Sequence, residues 1–298
     1  MPAAERANVE LASDDQPQGT AESRVPAERR GLLSMTGGLL GGLASQAAIL
    51  TAVLVYFGWV RASATYRYFG VDVSVLNFSV TDYVLRSVDA AFPLLVVLGL
   101  VGLCAIVGHE QLRRWLDNDR DVERLLVRRA TWTGVALVLT GFILAVALVG
   151  PNGSYFWGPA VLMAGFALTA YAFAVRSGSR ARGYLVAMAG MTLVAFLWTV
   201  AAYANYIGVQ KAEQVLAGLP TAAEVTVYSS GNLSLSGPGI AMSAVRSPDS
   251  QYRFRYTGLR LLVSSAGQYF LLPSGWRPRH GAVIVLPVAP DIRVEFAP

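Results

Sequence analysis

The 298-residue chain contains one cysteine, Cys104, and two histidines, His109 and His280. A single thiol excludes an intrachain disulfide, so anything that folds must be held by packing. The same scarcity excludes a tetrahedral Cys/His zinc site. His109-Glu110 opens like a zinc-protease helix, but Arg113 stands where the second histidine is required. The sequence has no Walker-type lysine after a glycine loop, no G-x-G-x-x-G and no G-x-S-x-G nucleophile elbow. A serine hydrolase would need His280 as its base, and that residue reads as a turn histidine beside Arg277 and Arg279. No cofactor, metal or catalytic residue is expected.

Charge is the second shortage. Only 14% of residues are charged and 54% are hydrophobic, against about 25% charged in soluble domains. Much of the chain therefore has a solvent other than water. The formal net charge of +5 is explained by arginines that orient membrane spans, with no nucleic acid required. Lys211 is the sole lysine among the 24 basic residues, and this arginine bias suggests a high-GC bacterial genome.

What is present is a series of long uncharged runs. Tyr184–Ile207 has no charged side chain in a stretch long enough to cross a bilayer core of about 30 Å. Four more spans read as Gly37–Val60, Ala91–Gly108, Ala130–Val149 and Trp157–Val175. The expected fold is a membrane all-α bundle of five transmembrane helices with a small all-β C-terminal extracytoplasmic domain. None of the spans has Asp, Glu, Lys, Arg or His at mid-depth, groups that proton relays and voltage sensors require. In the first span, Gly37, Gly38, Gly41 and Gly42 form two overlapping GxxxG patterns suited to close helix packing or to homo-oligomer contact. Pro93 falls in the first turn of the second span. Small residues Ala160 and Ala164 lie one turn apart in the fourth.

The expected domains are residues 1–36, a disordered cytoplasmic tail; 37–207, the bundle; and 208–298, the β-rich domain. Residues 1–30 are polar, with Pro2, Pro17 and Pro26 and no apolar periodicity. Arg29-Arg30 slightly resembles a twin-arginine signal, but no A-x-A cleavage site follows and more spans do, so the arginines read as orientation charges. His109–Arg129 reads as an amphipathic connector on the membrane surface. Gly150–Phe156 is a short turn, and Arg176–Arg182 a short basic loop. With a cytoplasmic amino terminus, the arginines near the membrane that face inward are Arg24, Arg29, Arg30, six in the connector and three in the last loop, against Arg61, Arg67, Arg86 and Lys211 near the membrane outside. The positive-inside rule selects this orientation in the cell membrane, and five crossings place the C-terminal region outside.

The most distinctive polar stretch is Arg61–Ala90, between the first two spans. The first helix is expected to continue to Phe69, with Gly70 just beyond its end. Ser79-Val-Thr-Asp82 resembles a capping box with Asp for Glu. Asp72, Asp82 and Asp89 balance Arg61, Arg67 and Arg86. Arg61, Arg67, Tyr68, Asp72, Asp82 and Arg86 form the candidate surface for a partner or ligand. The plainer reading of the stretch is an interfacial elbow held by aromatic packing and ion pairs.

After the helical pattern Val209–Ala217 and the stop signal Gly218-Leu-Pro220, the period changes to two. Glu224–Tyr228, Ile240–Val245, Gln251–Thr257, Leu259–Ser264, Gln268–Leu272, Ala282–Leu286 and Ile292–Phe296 read as strands. Ser265-Ala-Gly267 reads as a three-residue hairpin loop and Pro273-Ser-Gly-Trp276 as the next turn. A sandwich or small barrel is expected.

The elbow YFGWVRASATYRYFGVDVSVLNFSVTDYVLRSVD and the tail segments YTGLRLLVSSAGQYFLLPSGW, VIVLP and IRVEF resemble uncharacterised multi-pass membrane proteins of Streptomyces-like actinobacteria. The resemblance lies in aromatic and glycine positions after residue 50. It implies lineage and architecture, and no activity.

The layout points to a non-enzymatic membrane anchor or scaffold, with the bilayer and a protein on the cytoplasmic or external face as partners. One version docks a cytoplasmic assembly, such as a contractile injection particle, at the membrane. The alternatives are a small-solute transporter or pore, and an envelope enzyme or lipid-modifying factor using Asp72, Asp82 and Asp89.

Overall fold

The structure is a computed structural model that describes residues 27–116, 120–147, 156–176, 182–246 and 250–297, with side chains described from residue 44 onward except 112–124 and 176. The sequence readings for residues 1–26, the turn after Val149 and the basic loop lie outside these residues, in whole or in large part. So do the surroundings of the first-span glycines and the side chains of most of the connector. Among the described residues, 27–49 belong to one unit and those from Leu50 onward to a second, which holds the contacts between helices and sheet.

Among the described residues, five helices are long and apolar enough to cross a membrane. They are α1 (Ala27–Tyr68), α2 (Val80–Leu116), α3 (Arg120–Ala147), α4 (Trp157–Arg176) and α5 (Arg182–Ala217). The surface connector read at 109–129 is divided between the end of α2 and the start of α3. Helical structure thus runs on to Leu116 and resumes at Arg120, through charges that break the apolar periodicity. Pro93 is not in a first turn either. It lies well inside α2, because the capped start at Val80 extends this helix far ahead of its apolar run. There it deprives the Asp89 carbonyl of its helical donor.

Glycine positions where helices touch. A Cβ added at Gly141 would lie 2.5 Å from the Leu162 nitrogen, and one at Gly158 would lie 2.7 Å from the Ala145 nitrogen. Gly134 and Gly165 make similar approaches between α3 and α4. The two glycines on each helix are seven residues apart, so they share a face. The buried stripe of α4 includes Gly158, Leu162, Gly165 and Ala172, whereas Ala160 is half-buried and Ala164 exposed. Phe57, Ala91, Val200 and Ala204 form a buried core joining α1, α2 and α5.

The C-terminal strands are β1 (Glu224–Ser229), β2 (Ala241–Ala244), β3 (Phe254–Ser265), β4 (Gln268–Pro273), β5 (Ile284–Pro287) and β6 (Ile292–Ala297). They make one antiparallel sheet in the order β5-β4-β3-β1-β6, with β2 also on β3. The expected sandwich or barrel is thus a single open sheet, with β5 and β6 unpaired on their outer sides among the described residues.

Two expected strands are one. β3 runs through Gly258, which adopts φ +79° and would place a Cβ 1.8 Å from the Gly239 carbonyl oxygen. Two β3 residues, Thr257 and Gly258, there oppose the single β1 residue Thr226, the bulge geometry glycine permits. It is also where the neighbour on one edge of β3 changes from β2 to β4. The β3–β4 loop is two residues, Ala266 and Gly267, both at positive φ. This is the tight turn that matches strand twist.

Each side of the sheet has its own core. Val225, Val227, Tyr256, Leu259, Leu271 and Leu286 bury one side. The segment around Leu233 covers it, pinned by a 2.9 Å bond from its backbone N–H to the Tyr256 hydroxyl. The other side is continuous with the helices. Val263 and Phe270 share a core with Ala62 and Tyr66 of α1 and with Val71, Val73 and Leu76 of the elbow. Phe69, Ala212, Leu219, Leu272 and Trp276 form a second such core. An extra β3 residue at Leu262 lets consecutive residues Leu262 and Val263 both pack on that side. The sheet is therefore built onto the ends of α1 and α5 and the elbow between α1 and α2.

Candidate functional site

The elbow is ordered by its own side chains. α1 ends at Tyr68 and Gly70 takes φ +82°. Asp72 caps a 3₁₀ turn, Val73–Leu76, by accepting the Ser74 N–H at 2.8 Å. These bonds from Ser74 hold the Asp72 carboxyl below the usual aspartate range. Asn77 closes the turn in the left-handed region, φ 48°. Ser79 and Asp82 then form the reciprocal capping box read from the sequence. The Asp82 carboxylate accepts the Ser79 N–H at 2.9 Å, and the Ser79 hydroxyl accepts the Asp82 N–H at 3.2 Å. Ser265 of β3 donates its hydroxyl to the Leu76 carbonyl, so the sheet also satisfies a carbonyl of the elbow.

Next to this elbow α1, α2 and α5 converge. A Cβ at Gly58 would lie 2.2 Å from the Tyr83 carbonyl oxygen, and one at Gly208 would lie 2.5 Å from that of Arg61. Thr65 donates its hydroxyl at 3.0 Å to Arg61 of its own helix and at 2.9 Å to Gly208 of α5. A cavity of about 330 Å³ opens here, bounded by the three helices and by Leu262 of β3. Arg61, Arg86, Asp89, Lys211, Thr65 and Tyr66 supply its polar lining, and Leu85 and Val215 are among its apolar residues.

The charged groups are organised unevenly. Arg61, whose side chain is only 12% exposed, grips the Asp89 carboxylate with two N–H···O contacts of 2.6 and 3.1 Å. It also donates to the Arg86 backbone carbonyl. Two parallel contacts fix orientation as well as charge. Arg86 donates to the Tyr66 hydroxyl at 3.1 Å, and its guanidinium carbon lies 4.4 Å from the centroid of the Phe78 ring. Lys211 is exposed, and its ammonium makes no ion pair with a described residue. Three cations thus share the cavity with one carboxylate.

Of the six candidate residues, the structure brings together Arg61 and Arg86. Arg67 turns back to Ser63 at 3.2 Å. Tyr68 packs beside Phe69 at the sheet. Asp72 and Asp82 are caps. Asp89, Lys211 and Tyr66 belong to the cavity but were not grouped with it by sequence. One signal could have grouped three of its members: Arg61, Asp89 and Lys211 are the charged residues that border the uncharged runs of α1, α2 and α5 at this end. Among the described residues no cluster of three or more His, Cys, Asp or Glu could hold a metal. No family model, curated protein or solved structure matches the chain.

Proposed function

We propose that this protein is an integral membrane anchor that fixes a β-sheet at one face of the cell membrane and uses the region before its first span to recruit a protein on the other face. The observation that carries the reading is the shared core between the sheet and the elbow, in which Val263 and Phe270 are buried with Val71, Val73 and Leu76. A sheet so attached keeps a set height and orientation relative to the helices, as a scaffold requires. Asp72, Asp82 and Asp89 are each committed to a structural hydrogen bond, which favours an anchor over an enzyme built on these acids. The charge distribution favours a cytoplasmic amino terminus, and an odd number of crossings then puts the sheet outside the cell. In its most concrete form the anchor docks a cytoplasmic assembly, such as a contractile injection particle, at the membrane.

The test has two parts. A periplasm- or exterior-active reporter fused after Pro298 should be active, and a cytosol-active one silent. Proximity labelling from the amino terminus in native membranes should recover a reproducible cytoplasmic protein set. Activity of the cytosolic reporter, or no specific set from the amino terminus, would overturn the proposal.

A further inference from the structure

The cavity between α1, α2 and α5 carries more positive charge than its own carboxylate answers, and an apolar track leads away from its mouth. We infer that it binds the phosphate-bearing headgroup of an anionic membrane lipid. The inference rests on the membrane insertion proposed above.

Charge bookkeeping gives the class of ligand. Asp89 is already held by Arg61 through both carboxylate oxygens. Arg86 uses one terminal nitrogen on Tyr66. Lys211 makes no ion pair with a described residue. Asp82, one turn before Arg86, already feels the charge of its guanidinium, so the unanswered charge is the Lys211 ammonium, to which Arg86 adds its remaining N–H donors. Both line one cavity of about 330 Å³, at the small end of the range for ligand pockets and suited to a headgroup. The Thr65 hydroxyl hydrogen already bonds to helix carbonyls, so recognition falls to the cations.

Position gives the source. Arg61, Asp89 and Lys211 border the uncharged runs of their helices, and the level at which apolar runs give way to charge is that of the headgroups in an inserted bundle. Leu85 lines the cavity and is 68% exposed. Val88, Phe92, Val96 and Leu100 follow it along α2, and all are exposed. Their spacing of three, four, four and four residues keeps them on one helix face. An acyl chain attached to a headgroup in the cavity can lie along this stripe, which a free phosphate would not use.

The test places the full-length protein in nanodiscs of phosphatidylcholine, with and without phosphatidylglycerol, and measures lipid retained after extraction by native mass spectrometry. Phosphatidylglycerol should be retained in preference. A basic residue near an anionic membrane surface is worth about a fivefold factor. Lys211→Ala should therefore lower the preference about fivefold, Lys211→Glu should lower it further, and Lys211→Arg should restore it. Excess inorganic phosphate should leave the retained lipid in place. Equal retention of the two lipids by the wild-type protein would overturn the inference, as would an unchanged preference in Lys211→Glu. Displacement by inorganic phosphate alone would identify a free-anion site and overturn the lipid assignment. Alkaline carbonate extraction separates the two levels: release from native membranes would remove the insertion reading, whereas a retained protein without lipid preference would remove only this one.

Discussion

Leu76 of the elbow and Phe270 of β4 lie about two hundred residues apart in the chain, yet both are fully buried and belong to one core. If that core joins the sheet to the helices, truncating either residue should loosen both. A buried Leu→Ala change costs about 2–5 kcal/mol and Phe→Ala about 3–5 kcal/mol, the spread reflecting how far each site collapses. With a urea dependence of about 2 kcal/mol per molar, the middle of the usual range, each single variant should lower the unfolding midpoint of the C-terminal sheet by about 1–2.5 M. The informative quantity is the double variant. Residues sharing a cavity show coupling of about 0.5–3 kcal/mol, whereas independent sites add to within about 0.3–0.5 kcal/mol. Leu76→Ala with Phe270→Ala should therefore cost clearly less than the sum of the two. Pulse proteolysis of the full-length protein in mild detergent, across a urea series, reads these midpoints. Additive costs, or a Leu76→Ala variant whose sheet unfolds at the wild-type midpoint, would refute the shared core.

Gly208→Ala should destabilise the α1–α5 crossing by about 1–3 kcal/mol, since its Cβ would meet the Arg61 carbonyl oxygen and the Ala64 side chain; a thermal melt in detergent measures the loss. Ser79→Ala removes one half of the capping box and should cost about 1 kcal/mol, seen as a lower urea midpoint for the elbow. The Asp72 carboxyl titrates lower in the folded protein than in the unfolded chain. Its contribution is thus fully present above the ordinary aspartate value of about 3.9 and is lost as pH falls through the lowered folded value. Asp72→Asn, which keeps the cap but cannot ionise, should remove this part of the acid-induced drop in urea midpoint, so an unchanged pH profile in that variant would contradict the assignment.

Local rules made the elbow legible from sequence. The Ser79/Asp82 box, the end of α1 near Phe69 and the positive φ of Gly70 each follow from residues within a turn of one another. Strands were legible by period, but not their extent, because Gly258 reads as a break when the chain is scanned alone. The pairing of Thr257 and Gly258 opposite the single Thr226 is what shows a bulge within a continuous β3. The helix interfaces were legible as small-residue patterns but misplaced: close approach depends on which face meets the neighbour, and that selected Gly158 and Gly165 over Ala160 and Ala164. The cavity was half legible. Arg61 and Arg86 lie in one polar stretch, whereas Lys211 and Leu262 come from elements far along the chain. Least visible was the attachment of the sheet. Val71, Val73 and Leu76 look like incidental apolar residues in a polar loop until β3 and β4 cover them.

The attachment is tested most directly by amide hydrogen exchange on the full-length protein in nanodiscs, comparing the peptide over 71–77 with those over 259–272. The backbone bonds of the elbow are short-range, such as Val75 N–H to Asp72 and Asn77 N–H to Ser74, and an uncovered loop with such bonds opens readily. Beneath the sheet, residues 71–77 should exchange as slowly as β3 and β4, and Leu76→Ala should speed both regions together. Exchange of the elbow within seconds while β3 and β4 stay protected would contradict the account.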